Sequence, residues 1–258
     1  MKNNRLEQIE WILSVQKEAS VVELASMLKV SDMTIRRDLI ELEQKGVVTR
    51  YHGGAFISAA EPKSLLPAYH PESCPDEKAA IGREASRYLK EILFGKEINS
   101  VILMSGSTMM EMVKCIDYTI PVTAVTDNLS IAYTLSQNAN NSVMLLGGKV
   151  YPPSMSVNGF LAEQMLNYLS VDCTFMGTSA IDGDGCLYCY DDKHASFLEK
   201  LLLISHRIIV LADHTKLGAT SLVKVGLMDE SFTVITNDKA SKPLLEKYES
   251  MGVKIMMV

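Results

Sequence analysis

Two adjacent arginines, Arg36 and Arg37, sit in the run Ser31-Asp-Met33-Thr34-Ile-Arg-Arg-Asp38-Leu39-Ile40. A guanidinium can donate two parallel hydrogen bonds to guanine O6 and N7 in the major groove. Ser31 and Thr34 stand just ahead of them. At the start of a helix their hydroxyls, the free N–H groups and the helix dipole all suit a phosphate. Further along, Arg50 and His52 flank the Gly53-Gly54 pair, placed for a phosphate or the minor groove. An exposed Arg-Arg pair is also what an ordinary solvated helix face looks like, with Asp38 and Glu41 as its ion-pair partners.

A second set of residues suits a small anion. Ser105-Gly106-Ser107-Thr108 follows an apolar run and opens a helical pattern. Such a turn offers backbone N–H groups, hydroxyls and a helix N-terminus to a phosphate. Thr126, Asn128, Gly147, Gly148 and Gly177 fall at or just beyond the ends of other apolar runs. Ligands of open α/β sheets collect at the carboxyl ends of the strands. Lys216, in Asp213-His-Thr-Lys-Leu-Gly218, can pair with a phosphate. Each feature also reads as a plain strand-to-helix loop or a surface lysine.

The five cysteines include one CxxC, Cys186 to Cys189, with His194 and His206 nearby. A lone CxxC without a second pair reads more simply as two small apolar residues near a strand. The odd count points to reduced thiols. No metal and no cofactor is called for.

These groups need elements to position them. Ile9, Ile12, Leu13 and Gln16 share a helical face, so a first helix is expected from about Arg5 to Gln16. Ser20-Val-Val-Glu23 is a capping box that opens a second helix, with Leu24, Met27 and Leu28 as its apolar face. Lys29-Val30 makes a tight turn. Ser31 caps a third helix running to about Lys45, which Gly46 ends. Ile35, Leu39 and Leu42 face inward, so Met33, Arg36, Arg37, Ile40 and Glu41 point outward. Val47–Tyr51 and Ala55–Ser58 around the Gly-Gly turn read as a hairpin. That order is a winged helix-turn-helix.

Residues 59–75 hold four of the eight prolines, Pro62, Pro67, Pro71 and Pro75. They are expected to form an extended linker. The expected organisation is therefore 1–58 for the head, 59–75 for the linker and 76–258 for a larger domain. In that domain helical and strand patterns alternate. Strands are expected near 101–104, 122–126, 143–146, 173–177, 208–212, 232–236 and 254–258. Helices are expected near 81–92, 109–116, 129–137, 162–169, 195–204 and 241–251. Regular alternation predicts an α/β fold with a largely parallel sheet.

The composition reads as that of a soluble globular chain, 47% hydrophobic and 22% charged. No apolar run reaches the roughly 20 residues of a membrane span, and the N-terminus has no signal-peptide pattern. A cytoplasmic location is expected. Net charge is −6, but residues 1–60 carry eight basic and eight acidic side chains, so that segment is neutral. The acidic total does not exclude DNA, because local charge is what a DNA-binding head presents.

Arg5-x3-Ile9-x3-Leu13, then Ser31-x2-Thr34-Ile35-Arg36-Arg37-Asp38-Leu39, resembles the signature of the DeoR family of bacterial transcriptional regulators. Leu42-Glu43, Gly46, Arg50 and His52-Gly53-Gly54-Ala55 continue the resemblance into the wing. It implies a winged helix-turn-helix followed by a sensor domain similar in fold to ribose-5-phosphate isomerase. It also implies a regulator of a metabolic operon, commonly a repressor, whose binding to a double-stranded DNA operator is modulated by a phosphorylated sugar or related metabolite. The chain departs from the family pattern at four places. Met104 stands where an aspartate is usual and Asp127 where an asparagine is usual. His194 and Leu198 stand where glutamate and lysine are usual.

Three other readings compete. One is a regulator whose sensor no longer binds sugar phosphate. Another is a sugar-phosphate isomerase fused to a DNA-binding head, with Asp182, Asp184, Asp191 or Asp192 as its base. The last is a protein-binding module, which leaves the arginine helix and the wing unexplained. Reading an extended operator calls for more than one head, so a homo-oligomer, dimer or tetramer, is expected.

Overall fold

The computed structural model describes residues 5, 6, 8, 9, 12, 13, 18–44, 48–51, 53–57, 74–117 and 121–258. His52, Gly46 and most of the expected linker lie outside the described residues. The chain divides into two units, Met1–Leu66 and Pro67–Val258.

In the first unit Arg5, Leu6, Gln8, Ile9, Ile12 and Leu13 are helical. Strand β1 (Glu18–Ser20) then leads directly into helix α1 (Val21–Leu28). The capping box is present in full. The Ser20 side chain accepts from the Glu23 N–H, and the Glu23 carboxylate accepts from the Ser20 N–H at 2.7 Å. These bonds hold the Glu23 carboxyl below its usual range. Lys29 adopts φ 52 and ψ 47, the left-handed turn that stops the helix. The inward stripe of α1 is Val21, Leu24 and Ala25, with Leu28 partly covered. Met27, which the sequence pattern places on that stripe, is instead 51% exposed. The spacing 21, 24, 25, 28 follows the 3.6-residue turn, and 27 falls off it.

Helix α2 (Asp32–Gln44) buries Ile35, Leu39 and Leu42 in one cluster with Ile9, Leu13 and Leu24. Strands β2 (Val48–Tyr51) and β3 (Gly54–Ile57) form the expected hairpin. Strand β1 has no counterpart among the sequence expectations. It pairs antiparallel with β3 and completes a three-stranded sheet. Its three residues are too few to show an alternation.

The second unit centres on a seven-stranded parallel sheet. It contains β4 (Ser100–Leu103), β5 (Thr123–Thr126), β6 (Ser142–Leu145), β9 (Val171–Gly177), β12 (Ser205–Leu211), β14 (Phe232–Thr236) and β15 (Lys254–Met257). The order across it is β15-β14-β12-β9-β4-β5-β6. The helices are α3 (Pro75–Phe94), α4 (Ser107–Lys114), α5 (Leu129–Ser136), α6 (Phe160–Leu166), α7 (Asp192–Ile204) and α8 (Lys242–Ser250). Two apolar clusters fill the space on either side of the sheet. One packs Ile81, Leu89 and Met112 of α3 and α4 on Val101, Leu103 and Phe175. The other packs Leu198 and Leu201 of α7 on Met176, Val210 and Val234. Pro75 begins α3 at a position where its missing N–H carries no penalty. Helices α3 and α4 approach closely at Gly82, where an added Cβ would meet the Met112 nitrogen at 2.7 Å.

Two smaller sheets lie outside the sequence expectations. The hairpin β7 (Lys149–Tyr151) and β8 (Ser156–Asn158) follows β6. An antiparallel sheet joins β10 (Ala180–Ile181), β11 (Cys186–Cys189) and β13 (Val223–Leu227). Both are built from short strands, whose pairing depends on other segments rather than on local periodicity.

Candidate nucleic-acid interface and ligand site

Ser31 caps α2. Its hydroxyl lies 2.9 Å from that of Thr34 and accepts from the Thr34 N–H at 3.4 Å. With Ile35, Leu39 and Leu42 fixed inward, the opposite face presents Met33, 76% exposed, and Ile40, 40% exposed. Arg36 and Arg37 are exposed on the same side, and Thr34 is half-buried. Asp38 does not pair with these arginines, contrary to one expectation from the sequence. It is fully buried and binds Arg5. Among the described residues no carboxylate forms an ion pair with Arg36 or Arg37. The face therefore combines two cations with apolar groups, a chemistry suited to guanine edges and thymine methyls.

On the wing, the Arg50 Nε–H donates to Glu43 at 2.8 Å, and the Arg50 backbone N–H donates to the same carboxylate at 3.2 Å. This ties β2 to the last turns of α2 and holds the Glu43 carboxyl below its usual range. Gly53 is exposed at the turn with φ 100, and its carbonyl accepts from the Val21 N–H at 2.9 Å. His52 lies outside the described residues.

In the second unit, every strand of the large sheet points its carboxyl end the same way, because all pairs are parallel. That end gathers Ser105–Thr108 after β4, Thr126–Asn128 after β5, Gly147-Gly148 after β6, Gly177 of β9 and Asp213–Lys216 after β12. Helix α4 begins at Ser107 rather than at Met109, so the Ser-Gly-Ser-Thr turn is itself the helix N-terminus. Its first-turn N–H groups have no intrahelical acceptor.

Directly against this turn lies Asp127, 2% exposed. Its carboxylate accepts from the Ser105 N–H at 2.6 Å and from the Ser105 hydroxyl at 2.7 Å. Burial pushes the Asp127 carboxyl up to about 6, against the pull of the Ser105 hydrogen bonds. The turn thus carries a built-in carboxylate next to the place where an anion would sit. Met104 is 2% exposed and belongs to the apolar cluster.

Thr126 and Asn128 are buried and serve the scaffold. The Thr126 hydroxyl accepts from the Asn128 N–H at 3.1 Å. The Asn128 side chain caps α5 through the Ile131 N–H at 3.0 Å and donates to the Ser154 carbonyl at 2.7 Å. Gly148, at φ 150, is needed for close approach, since a Cβ there would meet the Asn158 carbonyl at 2.7 Å. Gly147 is exposed, with its N–H on the Met165 sulfur at 3.0 Å. Gly177 has open space beside it.

Asp213 is 3% exposed and accepts from the Thr215 N–H at 3.0 Å, which shapes the Lys216 loop. His214 is anchored by its N–H to the Asn237 side chain at 2.8 Å. The structure adds a residue that sequence reasoning missed. Lys78, in the first turn of α3, is 6% exposed. Burial pushes its ammonium down, Asp213 opposes that shift, and the charge of Lys216 adds to it. Lys78, Lys216 and Asp213 therefore share one electrostatic neighbourhood at the carboxyl end of β12. A signal was present in the sequence, because Lys78 continues the stripe of Ile81, Ala85 and Leu89 one turn earlier. A lysine on a buried face calls for a partner.

Of the carboxylates considered as catalytic bases, Asp182 and Asp191 have structural duties, and Asp184 is exposed and pairs with Lys247 at 2.6 Å. Asp182 accepts from the Tyr188 hydroxyl at 2.8 Å and from the Cys186 N–H at 3.0 Å. Asp191 caps α7 through the His194 N–H at 2.8 Å. The His194 ring stacks on Phe197 at 6.3 Å, burial pushes its pKa down, and Leu198 lies in the core. Cys186 and Cys189 lie on β11, Cys189 buried and its thiol pushed up by burial. Among the described residues no three His, Cys, Asp or Glu side chains are grouped to hold a metal. No described helix is long and apolar enough to cross a membrane.

Comparison with known proteins gives matches for both units. A family model for the DeoR-like helix-turn-helix domain matches residues 5–60. A model for the DeoR C terminal sensor domain matches residues 73–238. The chain is 28% identical over 251 residues to the HTH-type transcriptional regulator GolR of Listeria innocua, covering 97% of this chain and 96% of that one. It is also 28% identical over 256 residues to a putative aga operon transcriptional repressor of Escherichia coli O157:H7, covering 99% and 94%. Among solved structures, ribose 5 phosphate isomerase A from Neisseria gonorrhoeae matches with 12% identity and a TM-score of 0.36, over 54% of each chain.

Proposed function

The chain belongs to the DeoR family of DNA-binding transcriptional regulators, and from that premise we propose how its two units divide the work. The head binds an operator through the exposed face of α2, with Arg36 and Arg37 on base edges or phosphates and Met33 and Ile40 on apolar groups. Ser31, Thr34, Arg50, His52 and Gly53 contact the backbone or the minor groove. The second unit binds a phosphorylated sugar or related metabolite at the carboxyl ends of its strands, and that binding sets operator affinity. The protein acts as a repressor and works as a homo-oligomer.

The observation that carries the DNA reading is the division of α2. One face is fixed in the core by Ile35, Leu39 and Leu42, and the other presents two arginines without ion-pair partners among the described residues. For the effector, the supporting observation is that Lys78 is buried in the electrostatic field of Lys216 and Asp213, whose loop follows β12 at the end of the sheet where α4 also begins. A titration of labelled operator DNA across a range of salt tests the first reading. Affinity should fall steeply as salt rises, because each neutralised phosphate releases counterions. Binding insensitive to salt would refute it.

Asp127 favours a second reading of the sensor. A carboxylate bonded to Ser105 opposes an anion at the turn, and Met104 offers no hydrogen-bonding group there. On this reading the sensor has lost sugar-phosphate binding. Melting the protein against a panel of phosphorylated sugars separates the two. A ligand at a hundred times its dissociation constant adds about 2.7 kcal/mol of stability. A clear shift supports the first reading, and a flat panel supports the second.

A further inference from the structure

We propose that a cleft at the amino ends of β12, β14 and β15 is a second small-molecule site in the larger unit, one that takes a hydroxylated anion bearing carboxylate or phosphate groups. The pattern along these strands builds it. Ile209 and Leu211 of β12, Ile235 of β14 and Met256 of β15 pack in the apolar cluster under α3 and α4. Side chains two residues apart on a strand share a face. Arg207, Thr233 and Lys254 therefore continue that face towards the amino ends, where the apolar row stops. With Tyr88 of α3 and Glu230 they line a cleft of about 410 Å³, within the roughly 300–1,000 Å³ of ordinary ligand pockets.

Two hydroxyls in this cleft point to a ligand. Tyr88 and Thr233 are each 7% exposed, and neither hydroxyl has a hydrogen-bond partner among the described residues. A buried hydroxyl without a partner is costly, so a group that enters the cleft and accepts from both is favoured. The cations beside them set its charge. The Lys254 ammonium lies 4.7 Å from the centre of the Tyr88 ring and pairs with no carboxylate among the described residues. Arg207 pairs with Glu97 at 2.7 Å, but both side chains are more than two-fifths exposed. Such a surface pair is weak, and its guanidinium has donors to spare for an anion. A phenol, an alcohol, a guanidinium and an ammonium all donate, so the ligand is rich in acceptors. Glu230 only accepts, and suits a hydroxyl on the same molecule.

This site is distinct from the carboxyl ends of the strands. Along α3, Tyr88 stands ten residues beyond Lys78, or about 15 Å. The operator and effector readings can therefore fail while this one stands.

Isothermal titration of the full chain at low salt with malate, citrate and glycerol phosphate tests the proposal. At least one should bind. Binding of malate or citrate alone assigns a carboxylate ligand, and binding of glycerol phosphate alone assigns a phosphoester. Tyr88→Phe keeps the ring beside Lys254, and Thr233→Val keeps the shape of the side chain. Both variants should melt at or above the wild-type temperature, since the hydroxyls they remove have no partner. Each should weaken the bound probe roughly tenfold or more, because hydrogen bonds to charged groups are the stronger ones. Lys254→Gln should weaken it as well, whereas Lys216→Ala, at the other end of the strands, should not. No heat with any probe would mean that water alone meets the two hydroxyls, and would overturn the proposal. Wild-type affinity in both Tyr88→Phe and Thr233→Val, or loss of binding in Lys216→Ala, would overturn it too.

Discussion

Arg5 and Asp38, thirty-three residues apart, join through two hydrogen bonds, Nε to Oδ2 at 2.5 Å and Nη2 to Oδ1 at 3.1 Å. The Asp38 side chain is fully buried and that of Arg5 is 20% exposed. The pair fastens the N-terminal helical residues to α2, on the side away from the exposed arginines. Asp38 and Arg5 both belong to the motif that resembles the DeoR signature.

Breaking that pair should loosen the head. Removing one partner strands the other, and a buried charge without its partner is strongly destabilising. Arg5→Ala and Asp38→Ala should each lower the melting temperature of the first unit and weaken operator binding together. Thermal melts followed by circular dichroism, with binding measured on the same samples, check this. A variant that melts normally yet loses binding would show that the pair contacts DNA instead.

Arg36→Ala and Arg37→Ala should behave oppositely. Both side chains are exposed, so folding should survive. A base-reading arginine contributes about 1–3 kcal/mol of discrimination, so operator affinity should drop by roughly 5- to 150-fold. Fluorescence anisotropy with operator and scrambled DNA checks it. An arginine on a base relaxes the preference between the two sequences, whereas one on phosphate weakens both alike.

Asp127 makes stability depend on pH. Its folded value is raised from 3.8 to about 6, so the folded state holds the proton more tightly than the unfolded chain. Stability from this group is greatest below about pH 4 and declines as pH rises towards and through 6. Asp127→Asn retains an oxygen to accept the Ser105 N–H and carries no charge. It should flatten the pH dependence between about 4 and 7. At about pH 8 it should add about 1–3 kcal/mol, because a tenfold change in proton affinity corresponds to about 1.4 kcal/mol. Urea unfolding at several pH values measures this. The same variant removes a negative charge beside the α4 N-terminus, so any anionic ligand should bind it more tightly than wild type.

Lys216→Ala and Lys78→Met should abolish the response to an effector while operator binding in its absence stays near wild type. Lys78→Met keeps most of the buried stem of the side chain, which limits damage to packing. The check is operator titration with and without the metabolite that shifts the melt. A normal response in both variants would sink the phosphate site at the carboxyl end of β12.

Local patterns carried much of the architecture. The capping box at Ser20 and Glu23, the stripe Ile35, Leu39 and Leu42, and the alternating strands and helices of the second unit were all legible. Each depends on neighbours within one or two turns, which the chain records directly. The exposure of Arg36 and Arg37 followed from helix periodicity alone. The parallel strands also implied that Ser105–Thr108 and the Lys216 loop share one end of the sheet.

Tertiary structure decided which partners meet. Helix spacing puts Asp38 on the face of Ile35, Leu39 and Leu42, but nothing local indicates that it meets Arg5 there, or that Asp127 reaches back across twenty-two residues to Ser105. The stripe of α3 already placed Lys78 on a buried face, but only the fold put it in the field of Asp213 and Lys216. Strand β1 and the small sheets at β7–β8 and β10-β11-β13 form because other segments supply their hydrogen bonds. A sequence specifies side chains and their spacing, but the field that shifts a carboxyl or buries an ammonium comes from atoms far along the chain.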